Sequence, residues 1–203
     1  MKSVLLFLLT TLFALASHSK GPKIFEESDH CVAWKTKKRM FLVSSQEPVG
    51  KNCSITVSLK EDTDGKFALE GVFPIDKFDS GEKDRDAEVL LILGAEKQKN
   101  LEFLSSAMTK EEWMNLISSS EAYAMAGKLK IAGKEFDVSF EVETRGEGEN
   151  KRYFGHLHSK FSTFNIEPPS VAGGMVAKVR DTLKLSFMFQ EAKIFGAEKL
   201  KAE

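Results

Sequence analysis

The sequence predicts an all-β protein, an antiparallel barrel or sandwich, and two observations carry that reading. The first is a hairpin over 124–144. In its second arm Phe136, Val138, Phe140 and Val142 alternate with Asp137, Ser139, Glu141 and Glu143, the period of two that marks a half-buried strand. In its first arm Met125, Gly127, Leu129 and Ile131 run against Lys128 and Lys130. Gly133 between the arms tolerates the positive φ that a tight turn needs. The second observation is the recurrence of such runs between turn signals, enough for eight or nine strands. A chain of 203 residues with 42% hydrophobic content suits one large domain or two very small ones.

In chain order, Lys2, the apolar run from Val4 to Leu15, and the small-x-small site Ala14-Leu15-Ala16 read as a secretory signal peptide over residues 1–16. The run is too short for a membrane anchor, which takes about 20 apolar residues. Export to the periplasm or outside the cell is expected, with residues 17–29 a loose mature N-terminus and residues 30–195 the barrel. Val32 to Thr36 and Met40 to Ser44 look like short strands, with the basic run Lys35 to Arg39 as a solvated turn between them. Glu47-Pro48-Val49-Gly50 signals a turn. A strand then runs through Cys53, Ile55, Val57 and Leu59, turns at Glu61-Asp62-Thr63-Asp64-Gly65, and returns through Phe67, Leu69, Gly71, Phe73 and Ile75. Pro74 falls near the end of that strand, where a missing donor costs least.

Ala87 to Leu93 fits either a buried strand or a short helix; its acidic start and Gly94 lean toward the helix. Leu101 to Ser105 is a short strand. Thr109-Lys110-Glu111-Glu112 is a capping box opening a helix from about Lys110 to Ile117, with Trp113 and either Leu116 or Ile117 on its buried face. After the central hairpin, Lys151 to Phe161 reads as a strand, with Tyr153, Leu157 and Phe161 on one face and His156 and His158 on the other. Pro168-Pro169 interrupts regular structure. Val171 to Val179 is a short helix or a loop, and Leu183, Leu185, Phe187 and Phe189 form the last strand. The common phase of these strands turns Phe67, Leu69, Phe73, Met125, Leu129 and Ile131 inward. It does the same for Phe136, Val138, Phe140, Phe187 and Phe189. With 16 Phe in the chain, that interior either packs solid or holds one apolar ligand.

Charge narrows the partners. The formal net charge is −1, and removing residues 1–16, whose only charged side chain is Lys2, makes it −2. Near-neutrality argues against nucleic acid or an anionic membrane surface as the main partner. Cys31 and Cys53, the only two cysteines, are read as one disulfide in an oxidising compartment, against two buried thiols. Asn52-Cys53-Ser54 matches a glycosylation sequon but is discounted because Cys53 reads as strand-embedded. No nucleophile elbow, phosphate loop or zincin motif is present, so no catalytic residue and no metal ligand is assigned. His156-Leu157-His158 puts two imidazoles on one strand face. It supports the alternative reading of a secreted metal-binding barrel or enzyme, for which His30 or an acid would be the third ligand.

Three motifs in order resemble the YceI-like polyisoprenoid-binding family. Asp79-Ser80-Gly81 with Arg85-Asp86 is similar to its "TG…RD" loop. Gly127-Lys128-Leu129-Lys130-Ile131-Ala132-Gly133 followed by Val138 is similar to its "G-x-L-x-[IL]-x-G…V" hairpin. Phe164-Asn165-Ile166, then Asp181 and Leu183-Lys184-Leu185, is similar to its "FGI…D-x-V-x-[IV]" pattern. The resemblance spans Val32 to Lys193. Ser80 replaces Thr, Asn165 replaces Gly, Asp137 stands where Pro is frequent, and the helix at Trp113 looks like an insertion. The resemblance implies a lipocalin-like barrel of about eight strands with one or two short helices, one directly after Arg85-Asp86. It implies a long-chain lipid as partner, an isoprenoid quinone or a fatty-acid-like amphiphile, carried or sequestered in the interior, and no other cofactor. Arg85 and Asp86 are read as structural, and a homodimer is compatible with this reading.

Overall fold

The computed structural model describes residues 24–40, 44–171 and 177–200. The signal-peptide reading at 1–16 lies outside them, as do residues 17–23 of the expected loose N-terminus, 41–43 of the expected second strand and 172–176 of the expected short helix or loop. Among the described residues, eleven strands form one antiparallel sheet: β1 (Cys31–Met40), β2 (Ser44–Gln46), β3 (Val49–Asn52), β4 (Thr56–Glu61), β5 (Phe67–Pro74), β6 (Asn100–Ser105), β7 (Tyr123–Ile131), β8 (Lys134–Arg145), β9 (Arg152–Ser159), β10 (Ser170–Val171) and β11 (Ala177–Gln190). Their order is β2-β1-β11-β9-β8-β7-β6-β5-β4, with β3 on β1 and β10 on β11. The ladder does not close. A single parallel bridge, Ser58 to Phe195, spans the gap: the Leu59 N–H donates to the Phe195 carbonyl, and the Phe195 N–H donates to the Val57 carbonyl. Gly196 (φ +83) is needed here, because a Cβ would lie 2.5 Å from the Leu59 carbonyl oxygen.

The hairpin forms as the alternation dictates. Met125, Leu129, Ile131, Val138, Phe140 and Val142 are buried, and Gly127 faces Val138 across the ladder. The turn is the two residues Ala132 and Gly133, both at positive φ (49° and 76°), the geometry that matches strand twist. The Gln98 side chain holds it through the Gly133 N–H and the Lys130 carbonyl. Ala87 to Leu93 resolves as part of a helix, α1 (Lys83–Ile92). The capping box is present with both reciprocal bonds, and α2 (Lys110–Ser118) buries Trp113 and Ile117. The Trp113 indole N–H donates to the Phe67 carbonyl at 2.8 Å.

Several expectations are corrected. The basic run is not a turn: β1 continues through it to Met40, with an irregularity in register between Thr36 and Lys38. A strand accepts charged residues when they project to solvent, and Glu47 pairs with Lys35 and Lys37. Val49-Gly50 belongs to β3 rather than to a turn, and Cys53 lies between β3 and β4 rather than inside a strand. β11 starts at Ala177, well before Leu183, because Lys38, Arg39 and Met40 of β1 supply partners for Val179, Lys178 and Ala177. β9 ends at Ser159, so Phe161 is buried from the following turn. Residues 24–29 are not loose: Phe25 is buried against Cys31, Ala33 and Met188 on the outer face of the sheet, edge-on to Phe154. Asn52 is fully buried, and its side chain donates to the Pro74 carbonyl and accepts from the Ser54 N–H, so the sequon has no exposed amide.

Cys31 and Cys53 form the disulfide, with Cα atoms 4.1 Å apart. It ties β1 to the β3–β4 connection, beside the gap in the ladder. Thiol titration of the unfolded protein should find no free thiol. Replacing both cysteines with Ala should lower stability to urea by about 3 kcal/mol.

His30 packs against the Phe189 ring, and its Nδ1 accepts the Gln190 N–H at 3.1 Å. Burial first, and then the charge of Lys193, push its pKa down from 6.5 to about 4. The native state therefore holds His30 neutral while the unfolded chain protonates near 6.5. Its contribution is full above that pH and is lost as pH falls toward 4. Between pH 7 and 4, His30→Gln, which keeps an acceptor, should lose less stability than the parent protein, by on the order of 2 kcal/mol. Equal losses in urea titrations at the two pH values would rule out this role.

Candidate functional site

The inner faces of β1 and β11 look across the sheet's interior at those of β5, β6 and β7, and α1 lies over one end. Between them is a cavity of about 160 Å³. Six of the eleven residues expected inside line it: Phe73, Leu129, Ile131, Phe140, Phe187 and Phe189. Phe187 and Phe189 stack with centroids 4.3 Å apart, and Phe140 tilts against Phe187 at 5.4 Å. The stack depends on Gly155, where a Cβ would stand 2.2 Å from the Phe187 ring.

Leu69 and Met125 line a separate void of about 30 Å³ beneath the stack, closed by Trp113, Ile117 and Leu200. Phe67, Phe136 and Val138 line neither space. Phe67 is buried, with its carbonyl on the Trp113 indole; Phe136 is half-buried edge-on to Phe164 at 5.4 Å; Val138 is buried opposite Gly127. The inward phase thus holds for all eleven, while the open space borders only some of them.

The cavity takes other walls that sequence reasoning did not assign. Leu183, Leu185, Leu101 and Phe103 line it, and their period-two phase with named neighbours was a signal for them. Trp34, Thr36 and Lys38 line it from β1, whose continuity the sequence hid. Val89, Ile92 and Leu93 reach it from α1 and the residue after it. None of the α1 residues is fully buried, and Leu91 is 73% exposed.

Polar groups are few. Thr36 Oγ1 donates to the Thr182 carbonyl at 2.6 Å. The Trp34 indole N–H is buried with no hydrogen-bond partner among the described residues; its ring packs where a Cβ at Gly50 would stand. The Arg85 guanidinium reaches Glu82 and the Ser80 carbonyl. Asp86 Oδ1 accepts from both the Ser80 N–H and the Ser80 hydroxyl. Arg85 and Asp86 thus fix the Ser80 loop ahead of α1, the structural role expected, and the Ser80 hydroxyl is used as a Thr would be. Asn165 takes the left-handed conformation (φ 55°) that Gly would supply, one that Asn tolerates. Asp181 is bonded through its carboxylate to the Ser162 hydroxyl and N–H, and these bonds hold its pKa below the usual range.

His156 and His158 sit on the outer face with rings 5.5 Å apart. His156 Nε2 is 3.8 Å from Glu141. Burial first, then Lys184 and His156, hold the His158 pKa below its ordinary value. His30 packs on Phe189, away from the pair's third-ligand role. Among the described residues, the one set of three potential ligand atoms within 4.8 Å of one another is Asp29, Cys31 and Cys53, and its sulfurs are joined in the disulfide.

The YceI-like domain model matches residues 27–190. A crystal structure of Burkholderia cenocepacia BcnA is similar, with 20% identity and a TM-score of 0.57; the match covers 78% of this chain and 94% of that one. A Campylobacter jejuni YCEI protein is similar at 17% identity, TM-score 0.52, over 68% and 81%. A polyisoprenoid binding domain from Saccharophagus degradans, implicated in plant cell wall breakdown, is similar at 10% identity, TM-score 0.53, over 77% and 91%. No curated protein matches. Among the described residues, no helix is long and apolar enough to cross a membrane.

Proposed function

This chain belongs to the YceI-like family, and on that premise we propose that it is an exported, periplasmic protein that binds an isoprenoid or other amphiphilic lipid in its interior. The observation that carries the reading is the Phe- and Leu-lined cavity under α1. The similar domain from Saccharophagus degradans, described as polyisoprenoid binding, supports it. Burying each CH₂ of a tail contributes about 0.8 kcal/mol, so such a lining binds a chain with few polar contacts. In this reading Leu129, Ile131, Phe140 and Phe187 grip the tail.

The size of the space constrains the mode of binding. A cavity of about 160 Å³ is close to the roughly 150 Å³ that accepts benzene and well below the roughly 300–1,000 Å³ of most ligand sites. A long tail therefore has to widen it. α1 is the wall that yields at least cost, since it contributes no fully buried residue and so has little apolar packing to lose. The direct test is mass spectrometry of an organic extract of protein purified from its native host. One lipid in near-stoichiometric amount, on a chain whose N-terminus begins near Ser17, is expected. A lipid-free extract together with failure to load added quinone or fatty acid would sink the lipid reading; an intact Met1 would sink export.

A further inference from the structure

Two basic stretches far apart in the chain, 35–39 and 178–184, are laid side by side by the β1–β11 ladder. In register, Arg39 stands opposite Lys178 and Lys35 opposite Lys184; Arg180 follows Lys178 on the same strand. Like charges directly opposite each other destabilise a sheet, so this arrangement works against the fold wherever no countercharge offsets it. Glu47 answers Lys35 and Lys37. The Asp181 carboxylate, within the same stretch of β11, is taken up by the Ser162 N–H and hydroxyl. Among the described residues, Arg39, Lys178, Arg180 and Lys184 have no carboxylate partner within 4.0 Å. Outside the described residues the sequence holds a single acidic side chain, Glu203. The whole chain carries a formal charge of only −1, so this face is a local concentration of positive charge.

Its position points to its partner. Lys38 and Val179, opposite each other at the same end of the ladder, line the apolar cavity. Arg39 and Lys178 are the next pair in the ladder, so the basic residues adjoin this wall of the cavity on the same two strands. We propose that the outer face of β1 and β11 is a docking surface for an anionic lipid membrane, holding the cavity those strands wall close to the bilayer from which a lipid enters or to which it returns. The choice of a membrane over another polyanion rests on the lipid reading of the cavity. Each Lys or Arg close to an anionic surface strengthens attachment about fivefold, and salt screens the effect.

The test is flotation of purified protein with vesicles. Binding is expected to vesicles of phosphatidylcholine with 30% phosphatidylglycerol at low salt, and to fall steeply in ~0.5 M NaCl and on phosphatidylcholine alone. R39Q/K178Q/R180Q/K184Q should weaken binding by roughly 10²–10³-fold. The charge-matched K66Q/K97Q/K128Q/K130Q, and the charge-keeping R39K/K178R/R180K/K184R, should bind like the parent protein. Equal binding to neutral vesicles, or a β1–β11 variant no weaker than the charge-matched control, would overturn the proposal. So would binding to heparin or DNA without binding to anionic vesicles. Loading from detergent-solubilised lipid separates this proposal from the one it rests on. The β1–β11 variant should load normally; a parent protein that floats but never loads would remove the cavity function while leaving the docking surface.

Discussion

Leu129→Trp should yield a folded protein that no longer takes up lipid. Leu129 is 5% exposed, lies in β7 between Phe103 and Phe136 in the adjacent ladders, and borders the main cavity. An indole there occupies the space a tail would use. Overpacking should cost about 1–3 kcal/mol, a loss that a domain of this size survives. Val138→Phe is a useful contrast, because Val138 is buried but does not border the cavity. It should carry a similar stability cost with uptake largely retained. The readout is lipid bound per protein after incubation with detergent-solubilised quinone or fatty acid, beside a urea titration. A folded Leu129→Trp variant loading at the parent stoichiometry would place the binding site elsewhere. Failure to fold at all would mean that the interior has no room, and that the chain packs its own core.

Trp113→Ala should bring the largest loss of stability, about 3–5 kcal/mol. Trp113 is 3% exposed, seals the small void under the Phe187–Phe189 stack with Ile117 and Leu200, and hydrogen-bonds the Phe67 carbonyl. Removing the indole opens that end of the sheet. The Phe67 carbonyl keeps the Met108 N–H as a donor, so Trp113→Phe should cost much less, near the 0.5–1.5 kcal/mol of one hydrogen bond plus modest repacking. Because Trp113 does not border the main cavity, the folded fraction of either variant should load lipid normally. Urea midpoints for the three proteins decide the matter: near-equal values for Trp113→Ala and the parent would show that α2 is a surface ornament rather than a plug.

Much of the fold was legible because it is set by near neighbours. Alternation at i, i+2 marks β4, β5, β7 and β8 whatever lies across from them. The Thr109–Glu112 box needs only one helical turn, and the Ala132-Gly133 turn needs only its own φ angles. α1 was ambiguous because Ala87 to Leu93 carries no clear period, and its residues end up half-exposed around the cavity rather than divided between core and solvent. β1 was misread because five residues from Lys35 to Arg39 include four bases, a composition that suits a turn as well as an exposed strand.

The sequence by itself determined the all-β class, the inward phase of the Phe-rich strands, the capped helix and the two cysteines available for one bridge. Each rests on side-chain alternation, local hydrogen bonding or simple counting. Only the tertiary structure decided which inward residues border open space. That depends on what remains after every facing side chain has been packed, so Leu129 lines the cavity while Val138, on the paired strand, does not. It also decided where the charge lies. A net charge sums over the chain and is blind to position, and the pairing of Arg39 with Lys178, 139 residues further on, is set by a ladder between the two ends of the domain. No local pattern encodes that register, because it is selected by the burial of Val32, Leu183 and Phe187 on the other side of the same two strands.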